Sequence, residues 1–437
     1  MPEKPLIDLV SPSRKVCYGI VQPGKPVSAG VPVLRVNNFT EGRLFTDDVM
    51  TVDQEIESKY PRSRLKGGEL LVTLVGSVGQ SAIAGPELAG WNVARAVGVI
   101  PIDDPVLVKW VNYVIRSDPA QQYFLQRANT TVQTTLNLGD LAVLPIPMPS
   151  RSEIAAIVSF LSALDDKIEL NRRTNETLEA QARALFRDWF VDFGPVKAKA
   201  KAKASAPNAP TPYLAPDLWS LFPDRIGDDG VPEGWTDAPL TEHFSIIGGG
   251  TPKTTVPAYW DGQIPWFSVV DTPSSSNVFV TETQKNVTVE GVANSSAKII
   301  RGGTTIISAR GTVGNLAMAG QRMTFNQSCY ALQGVGDASD AFVYLAAQHM
   351  VDRLKSMAHG SVFSTITRDT FKSLKLAKPC GPAHEAFEDI ASAFFQKMKQ
   401  NVIENQTLAR TRDLLLPKLM SGQVRVGEVE KKLNKVL

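Results

Sequence analysis

The chain is 437 residues long, 43% hydrophobic, 21% charged and 8% aromatic, a globular composition with room for two or three domains. Its 46 Lys plus Arg against 44 Asp plus Glu give a formal net charge of +2, so overall charge neither announces nor excludes a polyanionic partner. Three cysteines (Cys17, Cys329, Cys380) lie far apart without a C-x-x-C pair, which excludes a disulfide scaffold and gives no support to a Cys-based zinc site. Met1 to Val10 carries an acid and a proline where a signal peptide would need an apolar core, and no apolar run approaches the roughly 20 residues of a membrane span. A cytoplasmic protein is expected.

In chain order, the first informative feature is a repeat. Val31-Pro32-Val33-Leu34-Arg35-Val36 resembles Ile264-Pro265-Trp266-Phe267-Ser268-Val269. Lys66-Gly67-Gly68 through Gly76-Ser77-Val78-Gly79-Gln80 to Gly85 aligns without a gap on Arg301-Gly302-Gly303 through Gly311-Thr312-Val313-Gly314-Asn315 to Gly320. Thr135-Leu136-Asn137, with Leu141, Leu144 and Pro149, matches Thr365-Ile366-Thr367 with Phe371, Leu374 and Pro379. Short β-rich runs such as Glu69 to Leu74 and Thr304 to Ser308, punctuated by Gly and Pro, read as strands of a mixed domain. The glycines of the two G-x-V-G runs serve turn geometry, and Trp266 belongs to a core.

Each copy is followed by a long helical pattern. The first opens at Ser150-Arg151-Ser152-Glu153, a capping box, and stops at Gly194-Pro195. Along it Ile154, Ile157, Leu161, Leu164, Ile168, Asn171, Asn175, Leu178, Ala182, Leu185 and Trp189 are spaced alternately three and four apart, a heptad seam. The second opens at Gly381-Pro382 and ends near Ser421-Gly422, with Pro417 expected to kink it or finish it early. Its matching seam runs from His384 through Phe387, Met398, Asn401, Asn405, Leu408 and Arg412 to Leu419, more polar at its ends. Seam asparagines lower stability and fix register. The two helices are therefore expected to pair, and an antiparallel arrangement lets Asn171 face Asn405 and Asn175 face Asn401. A helix of about 40 residues is about 60 Å long, so the pair would form a rod. Between the first helix and the second copy, the Lys/Ala run from Pro195 to Ala204 and the Pro/Ala segment beyond it read as an exposed linker.

The fold class expected is α+β: two mixed α/β domains in a pseudo-two-fold internal repeat, separated by two long helices in an antiparallel coiled coil. The boundaries are 1–149, first domain; 150–193, first long helix; 194–234, linker; 235–379, second domain; 380–422, second long helix; 423–437, tail.

No G-x-x-x-x-G-K-[ST], H-E-x-x-H or G-x-S-x-G run is present, and the four histidines lack metal-ligand spacing. No catalytic or metal-ligating residue is predicted. Gly248-Gly249-Gly250-Thr251-Pro252-Lys253 reads either as a flexible turn or as a contact loop for a polyanion through Thr251 and Lys253.

Two runs carry a resemblance. Leu161 to Glu179, with Ala184-Leu185-Phe186-Arg187-Asp188-Trp189-Phe190-Val191-Asp192-Phe193, resembles the central conserved region of the specificity (S) subunits of type I restriction-modification systems, and Leu414-Leu415-Leu416-Pro417-Lys418-Leu419-Met420-Ser421-Gly422 resembles the distal one. The resemblance implies a subunit without catalysis of its own, whose two target-recognition domains read the halves of a bipartite, asymmetric sequence in double-stranded DNA. It also implies that the helices act as a spacer and carry methyltransferase (M) subunits, two per S, forming an adenine-N6 methyltransferase that uses S-adenosylmethionine. Restriction (R) subunits would add ATP- and Mg-dependent cleavage. The cofactors would thus sit in partners, and no membrane is involved.

Two different half-sites require equivalent scaffold positions with different side chains. On that ground the predicted DNA contacts are Asn37 and Asn38 against Ser268 and Asp271, Ser77 against Arg310 and Thr312, and Thr130, Thr131, Gln133 and Thr134 against Ser361, Ser364 and Thr365. Arg310 suits a guanine fork, a phosphate or a surface ion pair, and the Thr/Gln runs suit base edges or an ordinary polar loop. Phe186, Phe190, Phe193, Leu414 and Leu416 supply apolar area either for an M subunit or for packing on the recognition domains. The rival readings are a two-headed coiled-coil protein adaptor and a DNA-modifying enzyme in its own right.

Overall fold

In a computed structural model that describes residues 2–40, 42–130, 134–204, 213–273, 277–357, 365–379 and 381–433, the chain folds as two units, Met1–Asp166 with Leu408–Leu437, and Lys167–Thr407. In the first, strands β1 (Cys17–Tyr18), β2 (Leu70–Thr73), β3 (Ser81–Ile83) and β4 (Val97–Ile100) form an antiparallel sheet in the order β1-β4-β2-β3, with Val97 opposite Thr73 and Leu70 opposite Ile83. All four residues of β2 are buried, because the sheet is covered on both faces. Leu70 and Val72 point to helix α1 (Pro105–Arg116) and meet Trp110 and Val114, whereas Leu71 joins Leu34, Leu65 and Val93 on the other side; this is the period-two alternation of a strand. Helix α1 starts where Asp104 accepts from the amides of Val106 (2.8 Å) and Leu107 (3.2 Å), with Pro105 at its first position, satisfying donors that the helix itself cannot.

The long helix α2 (Arg151–Phe190) begins in this unit. Its capping box closes in both directions: Ser150 Oγ accepts from the Glu153 amide at 3.3 Å and Glu153 Oε2 from the Ser150 amide at 3.1 Å. Ile154, Ile157, Val158 and Leu161 then pack with Leu416, Leu419 and Met420 in the core of the first unit.

The second unit repeats the first. After helix α3 (Gly194–Ala204) come β5 (Phe244–Gly248), β6 (Phe279–Val280), β7 (Thr305–Ser308), β8 (Leu316–Ala319) and β9 (Cys329–Gly334), in the sheet order β5-β9-β7-β8-β6. Gly248 lies opposite Tyr330, and Ser308 opposite Cys329. Again the central strand is wholly buried: Ile307 turns to α4 (Asp340–Met357) and its Phe342, and Ile306 to Phe267 and Phe325. Each unit also carries a three-stranded side sheet of one pattern. Val31–Leu34 pairs antiparallel with Met50–Val52 and parallel with Asn92–Val93; Trp260–Phe267 does the same with Asn286–Val287 and Thr324–Phe325. Trp266 is buried, its indole N–H donating to Gly250 O at 3.0 Å.

The second long helix, α5 (Pro382–Met420), runs through Pro417, so the expected early stop does not occur. Pro417 lies in the final turn, where its missing N–H forfeits one bond to Asp413 O and its own carbonyl still accepts from Ser421 N at 3.0 Å. The segment after α2 also differs from expectation. Phe193 takes a left-handed φ of 54°, and the Lys/Ala run is helical as α3 rather than an exposed tether. Alanine has the highest helix propensity, Val196 is fully buried, and Lys199 donates to Phe222 O at 2.5 Å.

Within the second unit, α2 and α5 run antiparallel. Asn171 Nδ2 donates to Asn405 Oδ1 at 2.9 Å and to Glu404 at 2.8 Å, and Asn401 Nδ2 donates to Asn175 Oδ1 at 2.8 Å. In the first unit the polar end of the seam is an ion cluster. Arg412 donates to Asp165 at 2.6 Å, Tyr113 Oη donates to the same carboxylate at 2.7 Å, and Arg116 stands 3.8 Å away. Burial, followed by the like charge of Arg412, lowers the Arg116 pKa.

Asn175 and Asn401 are almost fully buried, so Asn401→Leu is expected to strand the Asn175 amide and lower the unfolding free energy by about 1–3 kcal/mol. The double variant Asn175→Leu, Asn401→Leu removes both polar groups and is expected to recover most of that loss. A urea double-mutant cycle reads the coupling; additive losses would mean that the two amides do not act as a pair.

Candidate nucleic-acid interface

In both units the central strand runs into a tight exposed hairpin built from the same bonds. In the first, Thr73 Oγ1 accepts from Gln80 N at 3.0 Å and donates to Ser77 O, while Gly79 N donates to Thr73 O at 2.9 Å. In the second, Ser308 Oγ accepts from Asn315 N at 2.9 Å and donates to Thr312 O, while Gly314 N donates to Ser308 O at 2.9 Å. Gly76, Gly79, Gly311 and Gly314 have φ of 78°, 86°, 79° and 87°, a region that a side chain would strain. A hydroxyl under the turn thus holds its backbone, leaving Ser77 and Thr312 exposed at the tip.

A second segment lies along each hairpin. Val75 bridges Thr135 and Arg310 bridges Thr365, both antiparallel. Gly76 N donates to Thr134 O at 2.9 Å, and Leu136 N to Leu74 O at 2.8 Å; Ile366 N donates to Ala309 O at 3.0 Å. Asn129–Thr130 pairs with Thr134–Thr135. Thr131, Gln133, Ser361 and Ser364 lie outside the described residues, and only the backbone of Thr130 is described.

In the second unit the strand register brings a third segment to the same end of the sheet. The loop leaving β5 carries Thr251, whose hydroxyl is bonded to the side chain of Gln327, just ahead of β9. Lys253 is exposed beyond it, its carbonyl accepting from the Trp260 indole at 3.2 Å. Arg310 is exposed and, among the described residues, has no side-chain partner. Arg301, at the opposite end of the same strand, is by contrast committed to Asp340 at 2.5 and 2.6 Å. Thr251, Lys253, Arg310, Thr312 and Thr365 therefore share one end of one sheet, and Gln327 joins them. Gln327 left no mark in the sequence because its role depends on strand register rather than on local pattern.

Other predicted contacts have internal work. Asn38 is buried, accepting from Arg35 N at 2.8 Å and donating to Phe45 O and Asp48 O at 2.9 and 3.1 Å. Asp271 accepts from Ser268 N (2.8 Å), Ser268 Oγ (2.9 Å) and Gln284 N (2.7 Å). These residues close equivalent one-turn 3-10 helices by folding a side chain back on the first backbone N–H, the logic of a capping box. Asn38, Ser268 and Asp271 are thus loop-shaping residues, and Asn37 alone of that group stays exposed.

The apolar residues of the helices need a similar correction. Phe186 and Phe190 are buried against Phe342 and Phe387 in the core of the second unit. Phe193 is half-buried against Trp235, with ring centroids 6.2 Å apart, and Leu416 is buried in the core of the first unit. Only Leu414, 62% exposed, keeps its apolar surface in solvent. Sequence reasoning missed Leu170 and Ile403, large hydrophobic side chains that the long helices also leave exposed.

Among the described residues no group of three or more His, Cys, Asp or Glu is placed to hold a metal ion, and no helix is long and apolar enough to cross a membrane. The sequence matches the family described as "Type I restriction modification DNA specificity domain" twice, over residues 26–180 and 232–410. The chain belongs to that family. The two matched stretches take in both hairpins and every main-sheet strand but β1, together with most of each long helix. Among specificity subunits, the chain is 28% identical over 407 residues to that of the type I restriction enzyme HindI from Haemophilus influenzae, covering 83% of this chain and 88% of that one. It is 32% identical over 190 residues to that of EcoBI from Escherichia coli, covering 41% and 40%. The S subunit structure from M. genitalium shares the fold, with a TM-score of 0.50 at 16% identity over 96% of this chain and 95% of that one.

Proposed function

We propose that this specificity subunit reads a bipartite, asymmetric DNA sequence, one half with each unit, through side chains at the hairpin end of each main sheet. The observation that carries the reading is a single backbone frame made twice with different chemistry on it: Val75 where the second unit has Arg310, and Ser77 where it has Thr312, each held by matching hydrogen bonds. A rigid frame positions a side chain, and its donors and acceptors select the base in the major groove, where all four base pairs differ. Phosphate neutralisation then falls largely to partner subunits, in keeping with a net charge of only +2.

On this reading the chain has no catalytic residue. It assembles in the cytoplasm with two M subunits, which bring S-adenosylmethionine and methylate adenine N6, and with R subunits, which bring ATP and Mg. Leu414, Leu170 and Ile403, left in solvent by the long helices, support a partner surface there.

Single-molecule sequencing of N6-methyladenine in cells carrying this chain with its neighbouring M subunit, compared with M alone, tests the proposal. A split motif that appears only when both are present is expected. With M folded, bound and active, no new motif would leave the helices as a scaffold and favour a two-headed protein adaptor.

A further inference from the structure

Backbone hydrogen bonds fix a second set of equivalent positions beside the hairpins. Ile20 N donates to Val93 O at 2.8 Å as Gly250 N does to Phe325 O at 2.9 Å, and Ala94 N donates to Leu34 O at 2.8 Å as Asn326 N does to Phe267 O at 2.9 Å. Leu74 N bonds Ala96 O at 2.7 Å as Ala309 N bonds Ser328 O at 2.8 Å. Arg95 therefore stands where the second unit has Gln327, and Val21 where it has Thr251. The bond between Gln327 and Thr251 shows that side chains at these two positions meet over the end of the sheet.

In the first unit the same meeting cannot satisfy the polar partner. Val21 is 47% exposed and offers no acceptor. Arg95 is exposed, its amide tied to Ile20 O at 2.8 Å, and its guanidinium has no partner among the described residues. Arg14, Arg64 and Arg151 of the same unit, by contrast, are engaged with Glu69, Glu57 and Asp104. A guanidinium has five donors in a fixed fork that matches guanine O6 and N7, and an aliphatic neighbour suits the methyl group of thymine.

We propose that Arg95 is a specificity-determining residue of the first recognition domain, forking onto a guanine in the major groove with Val21 against the adjoining base, at the place where the second domain uses Gln327 and Thr251. The inference rests on the DNA-reading role proposed above. It also makes the two heads complementary in layout. The head with valine at position 75 of the hairpin carries its arginine at 95, and the head with glutamine at 327 carries its arginine at 310.

The test uses the chain assembled with its M subunits and a set of duplexes, the methylated target and its single base-pair replacements. Wild type is expected to lose roughly 5- to 150-fold in affinity when one G·C pair of one half-site is replaced. Arg95→Ala and Arg95→Lys are both expected to abolish that difference while keeping discrimination at every other position, which also shows that both variants fold. Lysine keeps the charge and loses the fork, so it separates base reading from phosphate attraction. Uniform weakening on all duplexes in the alanine variant, rescued by lysine, would make Arg95 a phosphate contact and overturn the proposal; unchanged discrimination would overturn it as well. A wild-type complex that prefers no duplex would instead overturn the DNA-reading role itself.

Discussion

Phe190→Ala is expected to lower the unfolding free energy of the second unit by about 3–5 kcal/mol, the range for truncating a large aromatic side chain in a packed core. Phe190 is fully buried and touches six rings, with centroids at 4.8 Å to Phe387, 5.5 Å to Phe342, 5.6 Å to Trp235, 5.7 Å to Phe186 and 6.3 Å to Trp189 and His384. These rings belong to α5, α4, the segment before the first strand of the domain and α2 itself, so the site where helix and recognition domain are joined would hold a cavity that no single neighbour can fill. Phe193→Ala, at a half-buried ring, is the comparison and is expected to cost about 1 kcal/mol. Urea denaturation followed by tryptophan fluorescence measures both, as a shift in midpoint at constant slope. A Phe190→Ala chain of unchanged stability that no longer captured M would return this side chain to the partner surface.

That packing shows what the sequence could and could not convey. Phe186 and Phe190 flank a heptad seam, and the periodicity of one helix says that its apolar stripe is wide without saying what covers it; here the cover, α4, comes from more than a hundred residues further along the chain. The seam asparagines were legible because a polar residue in an apolar stripe needs a partner of its own kind, and the second helix supplied two at matching places. Ser150 and Glu153 were legible for a local reason, since a capping box is complete within four residues. Asn38 and Asp271 mislead for the same reason turned round: a short polar side chain in a loop suits base contact and backbone capping equally, and only the position of the backbone N–H decides. The Lys/Ala run repeats a linker composition, yet the same alanines favour a helix once Val196 and Lys199 find a surface. The hairpin frame could be anticipated from G-x-V-G repeated in register. The placing of Arg95 next to Val21 could not, because the two bridged segments are about half the domain apart in sequence.

Exchange of residues 1–149 for the corresponding domain of another family member is expected to replace one half of the methylated motif and leave the other half unchanged. The structural ground is that each unit carries its own sheet, its own hairpin and its own hydrophobic core: Leu70, Val72, Trp110 and Leu136 in one, Ile307, Phe342, Leu332 and Ile366 in the other. The junction at Pro149 precedes the capping box of α2, so Ser150 and Glu153 can start the helix in the chimera as they do here. The incoming domain must, however, accept Ile154, Ile157 and Leu161, which are built into the first core, and a poor fit there would appear as lost M assembly rather than as altered reading. Methylome sequencing of the chimera, with M assembly verified, separates the two. Loss of half the motif with full methylation at the new half is the modular result. A change in both halves would mean that the helices transmit the identity of one head to the other, and a motif unchanged in both would remove residues 1–149 from base reading altogether.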